Sequence, residues 1–432
     1  MKFPGKRKSK HYFPVSAENR QSLNSNYNSE HKVFIVGLDQ LIVDIEVKVT
    51  NEYLKELGLK PGESVVIPDE RMESIYKTVK DNNLVIGEFA GGAVGNTLHN
   101  YSVLADDASV ALGSISKHIN VGDYAFKYIC TTNSHVDLSY LMPCEGAMAR
   151  ALCFVTEDGE RTFAIGKGIM NDLDPEFIPH NVVANAGALL ITTFLLRDKD
   201  SPMYQSTLKA VSIAKENDVP VVLSLGTGHL VSDMKEFLND FIKENVTVVA
   251  MNENEAKHWL NEEDPLLAGK KALEYADLIL LTVGASGLYI CGYTDEECAR
   301  ETKDKMHSKS LPLYNQFEYS RAMRQKDCKK PIKIFTHINP FMGGPGRVEN
   351  TNGAGDAALA ALLHDISSNK YHKVIVPNSP KHNEKFLTYS SIHQISKYAN
   401  RASFEVLSQN SPRLSRGLPE KEDSLEESYW EL

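Results

Sequence analysis

With 432 residues, 42% of them hydrophobic and 24% charged, the chain has the balance of a globular protein and enough apolar material for a sizeable core. Its formal net charge of −10 argues against a nucleic-acid partner held by the overall field, because phosphate backbones are gripped by basic surfaces. No apolar run reaches the roughly 18 residues of a membrane span, and the Lys-rich start lacks the apolar stretch of a signal peptide. A cytoplasmic protein with no membrane partner is expected.

Residues 1–30 are polar and read as an arm, either a solvated tail or a subunit contact, and a homo-oligomer is the expectation. The run Val33-Phe34-Ile35-Val36-Gly37 predicts a buried strand, and the alternation of Ile45, Val47 and Val49 predicts a second with one face exposed. Asp44 follows the apolar Leu41, Ile42 and Val43. At a strand end its carboxylate could accept two hydrogen bonds from vicinal hydroxyls; a surface acid on an edge strand is the alternative.

The glycine-rich turn Gly91-Gly92-Ala93-Val94-Gly95-Asn96 opens a run with helical spacing through Leu98, Tyr101 and Leu104. Such a turn lets backbone approach a ligand, and Asn96 offers both a donor and an acceptor to a hydroxyl-rich molecule. It has neither the G-x-G-x-x-G spacing of a dinucleotide site nor a strong preceding strand, and it lacks the Gly-Lys-Ser/Thr of a P-loop. A plain tight turn into a helix explains it equally well. Further on, 151–155 and 161–165 flank Asp158-Gly159 and predict a hairpin, which could shut a site against water or serve structure alone.

Short β-rich runs at 188–192, 219–224, 247–251 and 278–283 alternate with amphipathic stretches at 202–217, 234–244 and 253–260. Strand, helix, strand at this spacing predicts an α/β core with a mostly parallel sheet covered on both faces. Ligands of such sheets gather at the carboxyl ends of strands. An acid and several glycines stand there. Thr282, Gly284 and Gly287 follow one strand where a nucleotide would sit, while Asn252 and Glu255 follow another and could reach Mg²⁺ through water. Asn252 and Glu255 also have the spacing of a helix capping box, and both readings can hold together.

Residues 294–349 carry many charges and no clean period, and predict an insert of loops and short helices; a second polar insert spans 371–386. Between them lies Asn350-Thr351-Asn352-Gly353-Ala354-Gly355-Asp356, directly before the apolar run Ala357 to Leu363. If that run is a helix, its free N–H groups and positive dipole end favour an anion beside Asp356. A phosphoryl group in transfer needs donors aimed at its oxygens and a base for the attacking hydroxyl. Gly353, Ala354 and Gly355 could supply the former and Asp356 the latter; a capped loop before a buried helix is the bland alternative. The six cysteines form no C-x-x-C pair and read as reduced thiols.

Taken in order, Gly91-Gly92 with Asn96, Asn252 to Glu255, Thr282 to Gly284 and Gly353 to Asp356 resemble the motifs of the ribokinase-like (PfkB) family of carbohydrate and nucleoside kinases. Both ends resemble a bacterial branch acting on inosine and guanosine, through the segment Lys2 to Pro14 and the segment Arg416 to Trp430. The resemblance implies a three-layer fold with a small β lid, and ATP- and Mg²⁺-dependent phosphorylation of the 5′-hydroxyl of a purine nucleoside. It divides the chain into an arm (1–30), a kinase domain (31–417) with a lid near 45–50 and 145–170, and a tail (418–432).

It also assigns roles. Asp356 would take the proton, with Gly353, Ala354 and Gly355 holding the transferred group. Asp39, Asp44 and the segment Gly92-Ala93-Val94-Gly95-Asn96 would hold the nucleoside, and Arg197 the base or the product phosphate. Thr282, Gly284, Gly287 and Asn400 would border ATP. Asn350 stands where many members have Asp, in a segment that helps them bind an activating monovalent cation; the missing charge weakens the case for potassium. A kinase for adenosine or a free sugar, or a non-catalytic sensor, are the alternatives.

Overall fold

A computed structural model describes residues 33–418, apart from 63, 158–160, 342–347 and 350. The arm 1–30, nearly all of the tail 418–432, the turn at Asp158-Gly159 and Asn350 lie outside the described residues.

Five strands, Ile35–Leu38, Leu189–Thr192, Val221–Ser224, Val248–Asn252 and Leu278–Thr282, run parallel in the centre of an 11-stranded sheet. Their continuous apolar runs suit burial on both faces. Successive residues serve opposite sides: Leu189, Ile191, Leu223 and Ile279 join one apolar cluster, while Leu190, Val222, Leu278 and Leu280 join the other. Helices Pro202–Glu216, Lys235–Asn245, Glu253–Leu260 and Pro265–Ala272 cover the first face. Ala93–Ala105, Ala354–Ile375 and Ile392–Leu407 cover the second. No helix of the described residues is long and apolar enough to cross a membrane.

The helix that begins beside Asp356 runs for 22 residues, and Ala357 through Leu363 are all buried. A helix apolar on every side must be enclosed on every side. Here the sheet lies beneath it and helices Ala93–Ala105 and Ile392–Leu407 flank it, so its first turn is held firmly.

A second sheet has the order Ser64–Ile67, Arg161–Gly166, Ala149–Val155, Ile42–Lys48, Val85–Ala90. Val43, Ile45, Val47, Leu152, Phe154 and Ala164 pack with Met72, Ile75 and Val79 of helix Asp69–Asp81 into a separate small core. Asp44 and Glu46, at the alternate positions, project from the other face.

Four local expectations change. Asp44 is neither at a strand end nor on an edge, because Ile42–Lys48 lies between two paired neighbours. The turn at Gly91 does follow a strand, Val85–Ala90, whose partial exposure diluted its apolar signal. The stretch 294–349 contributes strands Arg321–Met323 and Pro331–Ile338 to the main sheet. Lys333 and His337 interrupt the pattern there, since this strand is only partly covered. Finally, helix Ala354–Ile375 continues into the second insert, with Tyr371 buried.

Candidate active site

Helix Ala354–Ile375 is entered through Gly353, whose φ of +78° puts it in the left-handed region. Glycine is required there a second time, because a Cβ would stand 2.5 Å from the carbonyl oxygen of Pro412. The first helical hydrogen bond joins Ala357 N–H to Gly353 O, so the N–H groups of Ala354, Gly355 and Asp356 precede the ladder. A Cβ on Gly355 would meet nothing within 4 Å. The start of this helix therefore borders open space.

That space is a cleft of about 340 Å³ whose walls include Ala93, Phe194, Asn252, Glu255, Thr282, Gly353, Gly355 and Asp356. Residues expected to act on acceptor, donor and metal thus meet across one cavity, although they come from segments spread over most of the chain. Strands Val248–Asn252 and Leu278–Thr282 end here, in keeping with ligand binding at the carboxyl ends of parallel strands.

Asp356 accepts a hydrogen bond from Asn96 Nδ2 at 3.2 Å. Burial raises its carboxyl pKa to about 7; the Asn96 bond opposes that rise, the charges of Asp39 and Asp44 add to it, and Arg413 opposes it. A carboxylate poised near neutrality suits proton transfer at physiological pH. Glu255 and Asn252 form a complete capping box: Glu255 N–H donates to Asn252 Oδ1 at 2.9 Å, and Asn252 N–H donates to Glu255 Oε2 at 3.0 Å. Burial also raises Glu255 to about 7, opposed by that backbone bond and reinforced by the charge of Asp356.

Among the described residues no group of three or more His, Cys, Asp or Glu could hold a metal ion. The donor set suits a hydrated Mg²⁺ better than a bare one. Glu255 and Asn252 border the cleft, and each carboxylate oxygen keeps lone pairs beyond the cap.

Around the first glycine turn the fit is tighter. Asp39 is 2% exposed and accepts from Tyr128 OH at 3.1 Å. Burial lifts its pKa to about 6 against the opposing effects of Arg413, the Tyr128 bond and the Gly95 backbone. A Cβ on Gly95 would lie 2.6 Å from Tyr128 OH, 2.7 Å from Asp39 Oδ2 and 2.9 Å from Arg413 Nη2. One on Gly91 would collide with the Asp44 carboxylate at 2.3 Å. Gly92 has φ +85°, with Asp39 Oδ1 3.0 Å from where its Cβ would be. Val94 turns away into the core against Gly37.

A family described as pfkB family carbohydrate kinase matches residues 66–306. Curated relatives from Escherichia coli named guanosine-inosine kinase are 51% identical over 435 residues, covering 100% of both chains. The chain belongs to the pfkB family of carbohydrate kinases. Its fold is that of a solved probable sugar kinase from Rhizobium etli, with 19% identity, TM-score 0.67, and coverage of 91% of this chain and 98% of that one. The adenosine kinase of Sinorhizobium meliloti is similar at 19% identity and TM-score 0.64, covering 92% and 99%.

Within this pfkB-family chain Asp39, Asp44, Gly92, Asn96, Arg197, Gly284, Gly287 and Asn400 are not among the residues that line the cleft. Gly287 makes the turn into strand Leu288–Asp295, and a Cβ there would lie 2.0 Å from Ile338 O. Gly284, with φ +41°, faces Glu253, and Asn400 Nδ2 donates to Asn339 O at 2.8 Å. Arg197 places its guanidinium 5.9 Å from the ring of Phe194, itself on the wall. Sequence reasoning missed Phe194, Tyr128 and Arg413. No local pattern marked the two aromatics, and Arg413 gave only an arginine between Pro412 and Leu414 with no acid beside it.

Proposed function

We propose that the chain is an ATP- and Mg²⁺-dependent nucleoside 5′-kinase that converts inosine and guanosine to their monophosphates in cytoplasmic purine salvage. The observation that carries this reading is Asp356, held by Asn96 at the start of a helix that opens on the cleft. Full-length relatives at 51% identity named guanosine-inosine kinase support the choice of base.

In this reading Asp356 removes the proton from the 5′-hydroxyl as that oxygen attacks. The N–H groups of Ala354, Gly355 and Asp356, with the positive end of the helix, face the charge that spreads over the transferred group. ATP supplies that group, and Mg²⁺ neutralises part of its charge. Asp44, Gly92 and Asn96 hold the ribose hydroxyls, with Asp39 nearby and Arg197 toward the base or the product phosphate. Thr282, Gly284, Gly287 and Asn400 border the donor, and Asn252 and Glu255 reach the metal through water.

The test is transfer from radiolabelled ATP to guanosine, inosine, adenosine, ribose and fructose in parallel. Labelled guanosine and inosine monophosphates are expected; label only on adenosine or a sugar, or on nothing, refutes the assignment. With Asn350 neutral, replacing choline by potassium should change turnover little. A homo-oligomer belongs to the same reading and is checked by light scattering.

A further inference from the structure

The chain passes residues 411–414 between helix Ala93–Ala105 and the Gly353 turn. Leu414 N–H donates to Asn100 Oδ1 at 2.7 Å, and Asn100 Nδ2 donates to Pro412 O at 3.2 Å. His99 Nε2 lies 3.0 Å from Leu414 O. This strap touches both halves of the site, because Pro412 backs Gly353 while Arg413 reaches beneath the first glycine turn.

Arg413 is 5% exposed. Its Nε donates to Asn96 Oδ1 at 3.0 Å, Nη1 to Thr132 Oγ1 at 2.8 Å and Nη2 to Gly91 O at 3.3 Å, with the guanidinium 5.0 Å from the Tyr128 ring. An arginine can only donate. Asn96 must therefore turn its oxygen toward Arg413, which leaves its NH₂ to donate to Asp356 Oδ2. One carboxylate oxygen is thereby held, in a residue that lines the cleft. A lysine, with a single compact ammonium, could not make the same three-way fork.

We propose that Arg413 is a positioning residue for phosphoryl transfer, acting through Asn96 to orient the Asp356 carboxylate. This rests on the function proposed above. The charges facing Asp356 are Asp39, Asp44 and Glu255, which disfavour its ionised form, and Arg413, which favours it. Losing Arg413 removes a cation and loosens the Asn96 bond, so both changes raise the pH at which Asp356 ionises.

The experiment compares the parent, Arg413→Met, Arg413→Lys, Asn96→Ala and the double variant Asn96→Ala/Arg413→Met by kcat, KM, log kcat against pH, and thermal melting. Misorientation by Arg413→Met should cost roughly 100-fold in kcat. KM for ATP should change little, the acid limb should move to higher pH, and Arg413→Lys should recover part of the loss. The double variant should lose scarcely more than the worse single one, as expected for residues acting in series.

A folded Arg413→Met with parental kcat overturns the proposal. So does a reduced kcat with an unmoved acid limb and additive losses, which is the mark of a merely structural role. If the Met variant does not fold, Arg413→Lys carries the same readings. A parent inactive on nucleosides, or an Asp356→Asn variant as active as the parent, defeats the proposed function instead; an active parent, a dead Asp356→Asn and a parent-like Arg413→Met defeat this inference alone.

Discussion

The two glycine turns of the site look alike in sequence and differ in what surrounds them. At Gly91, Gly92 and Gly95 the space a side chain would take is already filled by Asp44, Asp39, Tyr128 and Arg413. At Gly355 it is empty to 4 Å and opens on the cleft. At the first turn the protein packs against itself, whereas at the second Gly353 packs against Pro412 and only Gly355 leaves room for something else to approach. A glycine-rich motif therefore does not announce whether it serves folding or binding; its neighbours decide.

Several substitutions would sharpen or break this contrast. The largest effect is expected at Asp356: Asp356→Asn should lower kcat by about 10²–10⁴-fold, as loss of a positioned base does, with nucleoside binding nearly intact by calorimetry. Parental turnover would remove it from that role. Turnover of the parent should in turn fall below about pH 7 as Asp356 takes up a proton, which a log kcat profile will show.

Next comes Gly95→Ala. Its methyl would force apart Asp39, Tyr128 and Arg413, costing on the order of 1–3 kcal/mol of stability as overpacking does, read from denaturant midpoints. A variant as stable as the parent would show that the cluster yields easily.

Gly355→Ala should do the reverse. Added to a helical position facing open space, its methyl should leave stability unchanged or raise it by up to about 1 kcal/mol, while KM for ATP rises and kcat falls. Normal kinetics would mean that the open space is not where the donor binds.

A last expectation concerns stability and pH. Because burial raises the Asp356 pKa above its unfolded value, the native state holds a proton more tightly than the unfolded one, and this group lowers stability as pH rises through about 7. Asp356→Asn should therefore melt above the parent at pH 8, with the gain shrinking toward pH 4. An equal gain at both pH values would mean the carboxyl is not desolvated.

Much of the architecture was legible locally. The β-rich runs at 188–192, 219–224 and 278–283 contain the strands Leu189–Thr192, Val221–Ser224 and Leu278–Thr282, and the helix starting at Glu253 spans the residues its pattern indicated. The strand Pro331–Ile338 was not legible, because Lys333 and His337 break the apolar pattern on a partly covered strand. At the site, Asp356, Glu255, Asn252 and Thr282 were each visible as polar residues beside a strand end or a glycine turn, and they share one cleft. Arg413 was not, since its partner Asn96 lies 317 residues away and nothing near it in the chain foretells the contact.

What this sequence determined by itself is the order of elements and the places where the chain must turn, because side-chain period and glycine conformation act over a few residues. Only the tertiary structure decided which acids share a cavity, how far burial raises their affinity for protons, and that a late arginine is keyed to an early asparagine. Those properties come from desolvation and from contacts between distant segments, and they exist only once the two faces of the sheet have closed.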